Sequence, residues 1–326
     1  FIHVWGVRED IDKLRAQCDE AMKAAKNRYY AREQSAERPP YFEELLKEFT
    51  DSRFVAYLQP LYCVKAKRVC GAEALVRRIG RDDAIIPPDA FLPAMEASGA
   101  VTELDLLVCR QVCRFLAERI AKGLPVVRTS VNLSRLHTQN PDVADAFHSI
   151  VSQYSLSPEL IQLEMTETIF LNDFSGAKKL IDRLRFFGYS VAIDDFGSGY
   201  AGINIWQELD FDVLKLDKRF LNENPERALR NEAILPNVIN ISQRLKIGVL
   251  CEGVETAEQC RHLLRLGCRR VVPTRRARTS SSSTASPTKA SASGDISWMS
   301  TSDFVSNSIF YPHYFSTSSQ THIHQS

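Results

Sequence analysis

From residue 54 onward, two hydrophobic periodicities alternate along the chain. Short apolar runs bounded by turn residues predict buried strands, whereas apolar residues that recur every three or four positions predict amphipathic helices. The first two apolar runs flank a basic turn and predict a hairpin. The predicted strands are 54–62, 69–76, 126–133, 161–165, 190–193, 212–216 and 248–251, and the predicted helices are 88–97, 103–121, 141–154, 176–187, 227–245 and 257–266. Alternation over roughly 210 residues predicts an α/β fold, a TIM-like (β/α) barrel with a mainly parallel sheet.

The two ends of the chain do not share this alternation. Helical spacing at 12–26 is broken by Arg38-Pro39-Pro40, and we expect residues 1–40 to be a helical linker or the end of a preceding domain, followed by a barrel domain at 41–268. After Cys268 the chain becomes basic and proline-broken and then rich in Ser and Thr. Because such a composition does not build a packed core, we expect residues 269–326 to be a low-complexity, disordered tail. The abrupt change at Cys268 suggests a reading-frame shift in the gene.

Composition and charge exclude two classes of function. The chain has 326 residues and a formal net charge of +1, which does not indicate a nucleic-acid-binding surface. No apolar run approaches the length of a membrane span. None of the eight cysteines forms a C-x-x-C motif, which favours free thiols in a reducing cytoplasm over a disulfide scaffold. The chain begins with Phe1 rather than Met, so we expect upstream domains that this chain lacks and that could tether it to a membrane.

Six apolar runs end in a side chain that can bind a cation or a phosphate. In a barrel of parallel strands such ends converge on one rim, where catalytic groups lie. Taken alone, two adjacent aspartates are more typical of a solvated acidic turn, but the other strand ends favour a metal site. The residues are Glu73, Asn132, Glu164, Asp194 with the adjacent Asp195, Lys215 and Glu252.

This donor set indicates hard divalent cations. Carboxylate and amide oxygens suit Mg²⁺ or Mn²⁺ rather than zinc. Adjacent carboxylates can serve two cations about 3.5–4 Å apart, the spacing used for in-line phosphoryl displacement. Lys215 and Arg77 can hold phosphate oxygens or offset developing negative charge. Together these groups predict metal-assisted hydrolysis of a phosphoester.

Several short motifs occur in order along the predicted barrel. They are Tyr57-Leu58-Gln59-Pro60, Glu73-Ala74-Leu75-Val76-Arg77, Val131-Asn132-Leu133-Ser134, Leu163-Glu164-Met165-Thr166-Glu167, Asp194-Asp195-Phe196-Gly197-Ser198-Gly199-Tyr200, Leu214-Lys215-Leu216-Asp217 and Glu252-Gly253-Val254-Glu255. In this order they resemble the motifs of EAL-domain phosphodiesterases. Those enzymes act in bacterial second-messenger signalling and hydrolyse cyclic di-GMP to linear pGpG. The resemblance runs from about Glu44 to Cys268.

The resemblance implies a role for each matching position. Lys215 would lie beside the attacking water, and Glu252 would be either the general base or a further metal ligand. Glu167 would hold the loop after Asp195 as part of the catalytic set, and the first strand would run antiparallel to the others. The implied ligands of Mg²⁺ or Mn²⁺ are Glu73, Asn132, Glu164 and Asp194, with Asp195 reaching the second ion. The residues implied to contact or support the bound dinucleotide are Gln59, Leu75, Arg77 and Glu255.

The chain departs from the family pattern after Cys268. The resemblance implies a last strand there with a glutamine that contacts ligand, but residues 269–278 replace it. We therefore expect the last strand to be lost, with Val271-Val272 offering at most a token strand, and the barrel to keep two unpaired edges. The alternative to an enzyme is a catalytically inactive EAL module that binds cyclic di-GMP or protein partners. A remoter alternative is another metal-dependent barrel that acts on small acids.

The region before the barrel also has a weak resemblance. Residues 18–27 are similar to the last helix of a GGDEF (diguanylate cyclase) domain, although a generic amphipathic helix fits equally well. No G-G-D-E-F sequence occurs in the chain, so cyclase activity is not expected. Besides cyclic di-GMP, the expected partners are an upstream sensory or GGDEF domain and a second copy of the chain in a homodimer.

Overall fold

The computed structural model describes residues 53–80, 82–140, 142–197, 204–221 and 225–273. The expected helical segment at 1–40 lies outside these ranges. So do residues 274–326 of the predicted tail 269–326, whereas residues 270–273 are described and form a strand. Within the described ranges the chain forms nine strands and eight α-helices.

Eight of the described strands close into a barrel. The strands are β1 (Phe54–Cys63), β2 (Arg68–Ile79), β3 (Ile85–Ile86), β4 (Thr129–Leu133), β5 (Ile161–Thr166), β6 (Ser190–Phe196), β7 (Val213–Leu216), β8 (Gly248–Val254) and β9 (Arg270–Pro273). Neighbours follow the order β1-β9-β8-β7-β6-β5-β4-β2, and β1 pairs with β2 to complete the ring. β1 is antiparallel to both β2 and β9, whereas the other barrel pairs are parallel. The prediction of a TIM-like barrel with an antiparallel first strand is confirmed.

Two of the eight described α-helices begin at a side-chain cap. The eight helices are α1 (Leu92–Ser98), α2 (Val101–Ala121), α3 (Val143–Gln153), α4 (Ile169–Asn172), α5 (Phe174–Phe186), α6 (Asn204–Glu208), α7 (Pro225–Arg244) and α8 (Ala257–Leu266). The side chain of Asp173 accepts a hydrogen bond from the backbone N–H of Gly176 and caps α5. Thr256 and Gln259 form a capping box at the start of α8. In the part of the chain that the structure describes, no helix is long and apolar enough to cross a membrane.

The β1–β2 hairpin extends beyond the barrel wall. β2 pairs with β4 only from Ala72 to Ala74, but its pairing with β1 continues to Arg78. Past Ala74, β2 therefore rises above the rim, where the short β3 pairs with its last two residues. This extension projects the residues after Glu73 over the mouth of the barrel.

The prediction that the last strand is lost is wrong. β9 pairs with β8 through Arg270, Val271 and Pro273, and with β1 through Val271 and Arg270. The ladder needs only an extended backbone with free N–H and C=O groups, and the two valines supply side chains that are at most 5% exposed. The barrel therefore extends through Pro273 and has no open seam between β8 and β1.

A small apolar cluster packs inside the barrel below the rim. It consists of Leu61, Ala192, Val213, Leu250 and Val272, all buried. A larger core lies between the strands and the surrounding helices and includes Val271. The two valines of β9 thus fill both layers, Val272 inside the barrel and Val271 outside it.

We expect the four residues of β9 to be needed for the fold. A chain that ends at Cys268 lacks both ladders of β9 and two buried valines, whose burial contributes about 3–6 kcal/mol, a large part of a typical stability of about 5–15 kcal/mol. The matched control is a chain that ends at Pro273 and keeps β9. Urea unfolding followed by circular dichroism should show a cooperative transition only in the control, and equal midpoints for the two chains would contradict this role for β9.

Candidate active site and metal centre

The carboxyl ends of six strands bring the predicted site residues to one side of the barrel. Parallel pairing aligns neighbouring strand ends, so that Asn132 is the register partner of Glu164, and Thr166 that of Asp194. The contributing residues are Glu73 on β2, Asn132 on β4, Glu164 on β5, Asp194 and Asp195 on β6, Lys215 on β7 and Glu252 on β8.

Lys215 is the centre of this cluster. Its side chain is 1% exposed, and its ammonium nitrogen Nζ contacts four carboxylates. An ammonium group has only three protons to donate, so the four carboxylates share three donors. The ammonium also carries only one positive charge, so the cluster keeps an excess of negative charge around one buried cation. The distances from Nζ are 2.7 Å to Glu164 Oε2, 2.9 Å to Asp194 Oδ2, 3.0 Å to Glu252 Oε1 and 3.2 Å to Glu73 Oε2.

Neutral donors hold the second oxygens of three of these carboxylates. Each carboxylate is thus oriented by two donors, only one of which carries charge. The contacts are Asn132 Nδ2 to Glu73 Oε1 at 3.4 Å, Gln162 Nε2 to Glu164 Oε1 at 3.0 Å, and the backbone N–H of Asp195 to Asp194 Oδ1 at 2.7 Å.

A β-bulge in β6 explains how two consecutive aspartates reach the same site. Ile193 pairs with Leu214 of β7 and Phe196 pairs with Leu216, so β6 holds one extra residue in this interval. Successive side chains of a regular strand point to opposite faces, and the extra residue interrupts that alternation. Asp195 also has a φ of 55°, in the left-handed region that Asp adopts more readily than most residues.

Glu167 contacts the backbone at the start of the loop after Asp195. Its buried carboxylate accepts a hydrogen bond from the N–H of Gly197 at 2.7 Å, and its own N–H donates to the carbonyl of Asp194 at 3.0 Å. Gly197 has a φ of 93°, and the ring of Phe220 occupies the space that a Cβ atom would need. The end of β6 is therefore held by Glu167 on one side and by an aromatic ring on the other.

Burial opposes the ionisation of these carboxylates. It raises the pKa of Glu164 to about 7, with Lys215 acting to lower the pKa and the neighbouring Glu73 and Asp194 acting to raise it. It likewise raises the pKa of Glu252 to about 7 and raises the pKa values of Glu73 and Asp195. Burial alone would lower the pKa of Lys215, but the surrounding carboxylates hold it well above its ordinary value. The lysine stays charged, and in the absence of further cations the carboxylates compete for protons.

The donor set fits two divalent cations. Carboxylate oxygens of Glu73, Glu164 and Asp194 lie within 4.8 Å of one another, and so do those of Asp194, Asp195 and Glu252. Asp194 belongs to both groups, as expected of a carboxylate shared by two ions. Donors that are all oxygen match Mg²⁺ or Mn²⁺.

The residues predicted to contact or support the dinucleotide lie at different distances from the cluster. Gln59 is the register partner of Glu73 across the β1–β2 ladder, so the two side chains share a face of the hairpin. Leu75 and Arg77 follow Glu73 at two-residue steps of about 7 Å on that same face of β2. Glu255 is exposed beyond the end of β8, where its backbone N–H donates to Gln259. The hairpin register places Gln59 level with Glu73, and places Leu75 and Arg77 beyond Glu73 on the same face of β2. Glu255 lies at the periphery.

Two supporting contacts were missed by the sequence patterns. Gln162 lies two residues before Glu164 on the same apolar strand. Because alternate residues of a strand share a face, this spacing could have predicted that Gln162 lies beside Glu164. Asp105 Oδ2 accepts a 2.7 Å hydrogen bond from the N–H of Ser134 and lies 2.9 Å from His137 Nε2. This contact attaches the turn after Asn132 to α2, and no local pattern predicts it because Asp105 precedes Ser134 by 29 residues.

Comparison with known proteins decides the family. A model of the EAL domain matches residues 43–272, a range that includes every residue of the cluster. The chain belongs to the EAL domain family. The match also includes most of β9, in agreement with the closed barrel.

The curated relatives of this EAL domain are longer than the region that matches them. An uncharacterized signaling protein of Caulobacter vibrioides is 34% identical over 257 residues, 76% of this chain and 31% of that protein. The probable cyclic di-GMP phosphodiesterase PdeB of Escherichia coli is 30% identical, over 62% of this chain and 38% of PdeB. The cyclic di-GMP phosphodiesterase NbdA of Pseudomonas aeruginosa is 31% identical, over 69% of this chain and 29% of NbdA. The chain thus spans about a third of the length of these relatives.

Solved EAL structures share the fold. The PaMucR phosphodiesterase in complex with c-di-GMP superposes with a TM-score of 0.67 at 28% identity, covering 72% of this chain and 95% of that one. The FimX EAL domain of Pseudomonas aeruginosa bound to c-di-GMP superposes with a TM-score of 0.64, covering 71% and 93%, but at 21% identity it supports the fold alone. The EAL domain therefore has relatives that are cyclic di-GMP phosphodiesterases.

We expect Lys215→Met to destabilise the metal-free EAL domain by about 3 kcal/mol, because four carboxylates would then surround a position without positive charge. Added Mn²⁺ should raise the melting temperature of this variant more than that of the wild type, since divalent cations replace the lost charge. The control is Lys218→Met, which changes an exposed lysine three positions further on. Differential scanning fluorimetry with and without Mn²⁺ measures the effect, and equal Mn²⁺ shifts in all three proteins would contradict it.

The metal-free domain should lose stability as pH rises from about 4.5 to about 7. Folding raises the pKa values of Glu164 and Glu252 from 4.5 to about 7. The folded state therefore binds more protons than the unfolded state in this interval, and stability falls as pH rises through it. Glu164→Gln should reduce the slope, as measured by urea unfolding in EDTA between about pH 5 and about pH 8. A slope that is the same in both proteins would show that Glu164 does not contribute.

Proposed function

We propose that this EAL domain hydrolyses cyclic di-GMP to linear pGpG with two bound divalent cations, Mg²⁺ or Mn²⁺. One observation carries the proposal: five carboxylates of the EAL motifs form two overlapping oxygen groups around a buried lysine. Such an excess of negative charge is unsuited to an anionic phosphodiester unless cations are bound as well. The relatives named cyclic di-GMP phosphodiesterases support the choice of substrate.

The cluster divides into two ligand groups under this proposal. Glu73, Asn132, Glu164 and Asp194 would hold one cation, and Asp195 would join Asp194 at the other. The bound cations would supply Lewis acidity and charge neutralisation at the phosphate. Asn132 suits a ligand role because its Nδ2 faces Glu73, which leaves its carbonyl oxygen free to point elsewhere.

Lys215 and Glu252 would act on the attacking water. Lys215 is held by contacts from four strands, so its ammonium group has a defined position from which to orient the water. Among the four carboxylates that contact it, Glu252 has the most exposed side chain, 26% against at most 12% for the others. We therefore assign Glu252 to proton acceptance from the water and assign Glu167 to holding the backbone after Asp195.

Substrate recognition would use the hairpin that rises above the rim. Gln59, Leu75 and Arg77 lie on the face of the hairpin shared with Glu73, and the guanidinium of Arg77 suits a phosphate oxygen. Glu255, at the periphery, would support the end of β8 instead of contacting the phosphodiester.

The domain would work as one module of a longer signalling protein. The matched region makes up 29–38% of its curated relatives. We therefore propose an upstream sensory or GGDEF domain, with residues 1–40 as the connection, and activity as a homodimer. The described cysteines are free thiols, which is compatible with a reducing cytoplasm.

The activity assay uses the whole chain with cyclic di-GMP and Mn²⁺ and follows pGpG by chromatography. We expect turnover that EDTA abolishes, and a loss of about 10²-fold or more in Glu252→Gln, since an amide cannot accept the proton. Glu252→Gln should still bind Mn²⁺, because the five proposed ligand residues remain. Glu118→Gln on the exposed side of α2 is the matched control.

The outcomes separate the enzyme from the inactive module. Binding of cyclic di-GMP without pGpG in saturating Mn²⁺ would contradict hydrolysis and support the inactive alternative. Loss of Mn²⁺ binding in Glu252→Gln would make that residue a ligand instead of the base. The inactive alternative rested on a missing last strand, and β9 supplies that strand. The glutamine that the resemblance implies in the last strand is not present in β9.

A further inference from the structure

One buried polar side chain inside the barrel has no role in the proposal so far. Gln162 lies on β5, is 5% exposed, and precedes Glu164 by two residues, so both point to the barrel interior. Burying an amide is costly unless its hydrogen-bonding groups are satisfied. The contacts that satisfy Gln162 therefore indicate why an amide occupies this position.

Both ends of the Gln162 amide are used. Its Nε2 donates to Glu164 Oε1 at 3.0 Å, and its Oε1 accepts from the hydroxyl of Ser190 at 3.3 Å. An ionised carboxylate can only accept, so the N–H of the amide must face Glu164, and the hydroxyl on β6 occupies the other end. The result is a buried chain of hydrogen bonds from Ser190 through Gln162 and Glu164 to Lys215.

This chain holds Glu164 from two sides. Lys215 contacts Oε2 at 2.7 Å and Gln162 contacts Oε1, so rotation of the carboxylate would break one of the two contacts. Glu164 is the most buried carboxylate around the lysine, and no water is needed to explain its orientation. Gln162 supplies the second contact without adding charge to a cluster that is already rich in negative charge.

We propose that Gln162 is a positioning residue that sets the orientation of Glu164 for metal binding. The inference rests on the proposed two-metal phosphodiesterase function. Partners in hydrogen-bonding contact with a metal ligand typically change metal affinity by about 10–100-fold when they are removed. Ser190 acts one step further away by keeping the amide in the orientation that donates to Glu164.

The test compares Mn²⁺ affinity in Gln162→Met with that of the wild-type chain. Methionine keeps the length of the side chain but removes both hydrogen bonds, so we expect the Mn²⁺ dissociation constant from calorimetry to rise by about 10–100-fold. The Mn²⁺ concentration for half-maximal turnover should rise in parallel, whereas turnover at saturating Mn²⁺ should fall much less. A merely structural role would not produce this split.

A matched control and a milder variant complete the test. Gln111 on α2 also makes two hydrogen bonds, to the backbone of Phe54 and Ala56, but does not contact the carboxylates. Gln111→Met should therefore affect stability and leave Mn²⁺ affinity unchanged. Ser190→Ala should weaken Mn²⁺ binding by a smaller factor than Gln162→Met. If Gln162→Met does not fold, the Mn²⁺ affinity of Ser190→Ala tests the positioning role instead.

The results separate this inference from the proposed function. If the wild type binds Mn²⁺ and hydrolyses cyclic di-GMP while Gln162→Met and Ser190→Ala bind Mn²⁺ as tightly, the positioning role fails and the phosphodiesterase proposal stands. If the wild type binds no Mn²⁺, both proposals fail together. A loss of affinity that Gln111→Met shares equally would also overturn the positioning role.

Discussion

The structure depends on one ammonium group that is buried among four carboxylates. Lys215 carries a single positive charge and cannot balance four carboxylates, and burial makes each uncompensated charge more costly. The cluster is therefore incomplete in electrostatic terms, and divalent cations are the natural complement. Under the proposed function, this imbalance would lower the stability of the metal-free chain and favour the binding of the cations that the reaction uses.

The barrel makes such a cluster possible because it holds the acids on different strands. Glu73, Glu164, Asp194 and Glu252 come from β2, β5, β6 and β8, and each backbone is fixed by ladders on both sides. No single helix or loop could bring these groups to one ammonium. Closure by β9 matters for the same reason, since an open seam beside β8 would leave Glu252 on an edge strand. The neutral donors Asn132 and Gln162 then orient the carboxylates without adding charge to the cluster.

Much of the fold and of the site was predictable from sequence. Hydrophobic periodicity predicted the seven barrel strands before β9, but not the two-residue β3, and it predicted the longer helices. Polar residues at strand ends predicted which side chains converge. The error concerned β9. A motif comparison depends on the identity of side chains. Residues 269–278 differ from the family pattern in their side chains, and this difference led to the prediction that the strand is lost. Strand pairing instead uses backbone groups, so Arg270-Val271-Val272-Pro273 could close the barrel with two buried valines and no family motif.

The sequence by itself determined the chemistry of the groups available: carboxylates, an amide and a lysine, each at the end of an apolar run. Only the tertiary structure decided how they meet. The bulge in β6 set the directions of Asp194 and Asp195, and the contact of Lys215 with Glu73 joins residues 142 positions apart. The contact of Asp105 with His137 was likewise visible only in three dimensions. The physical reason is that charge balance and hydrogen bonding depend on distances between strands, which no local pattern along one strand records.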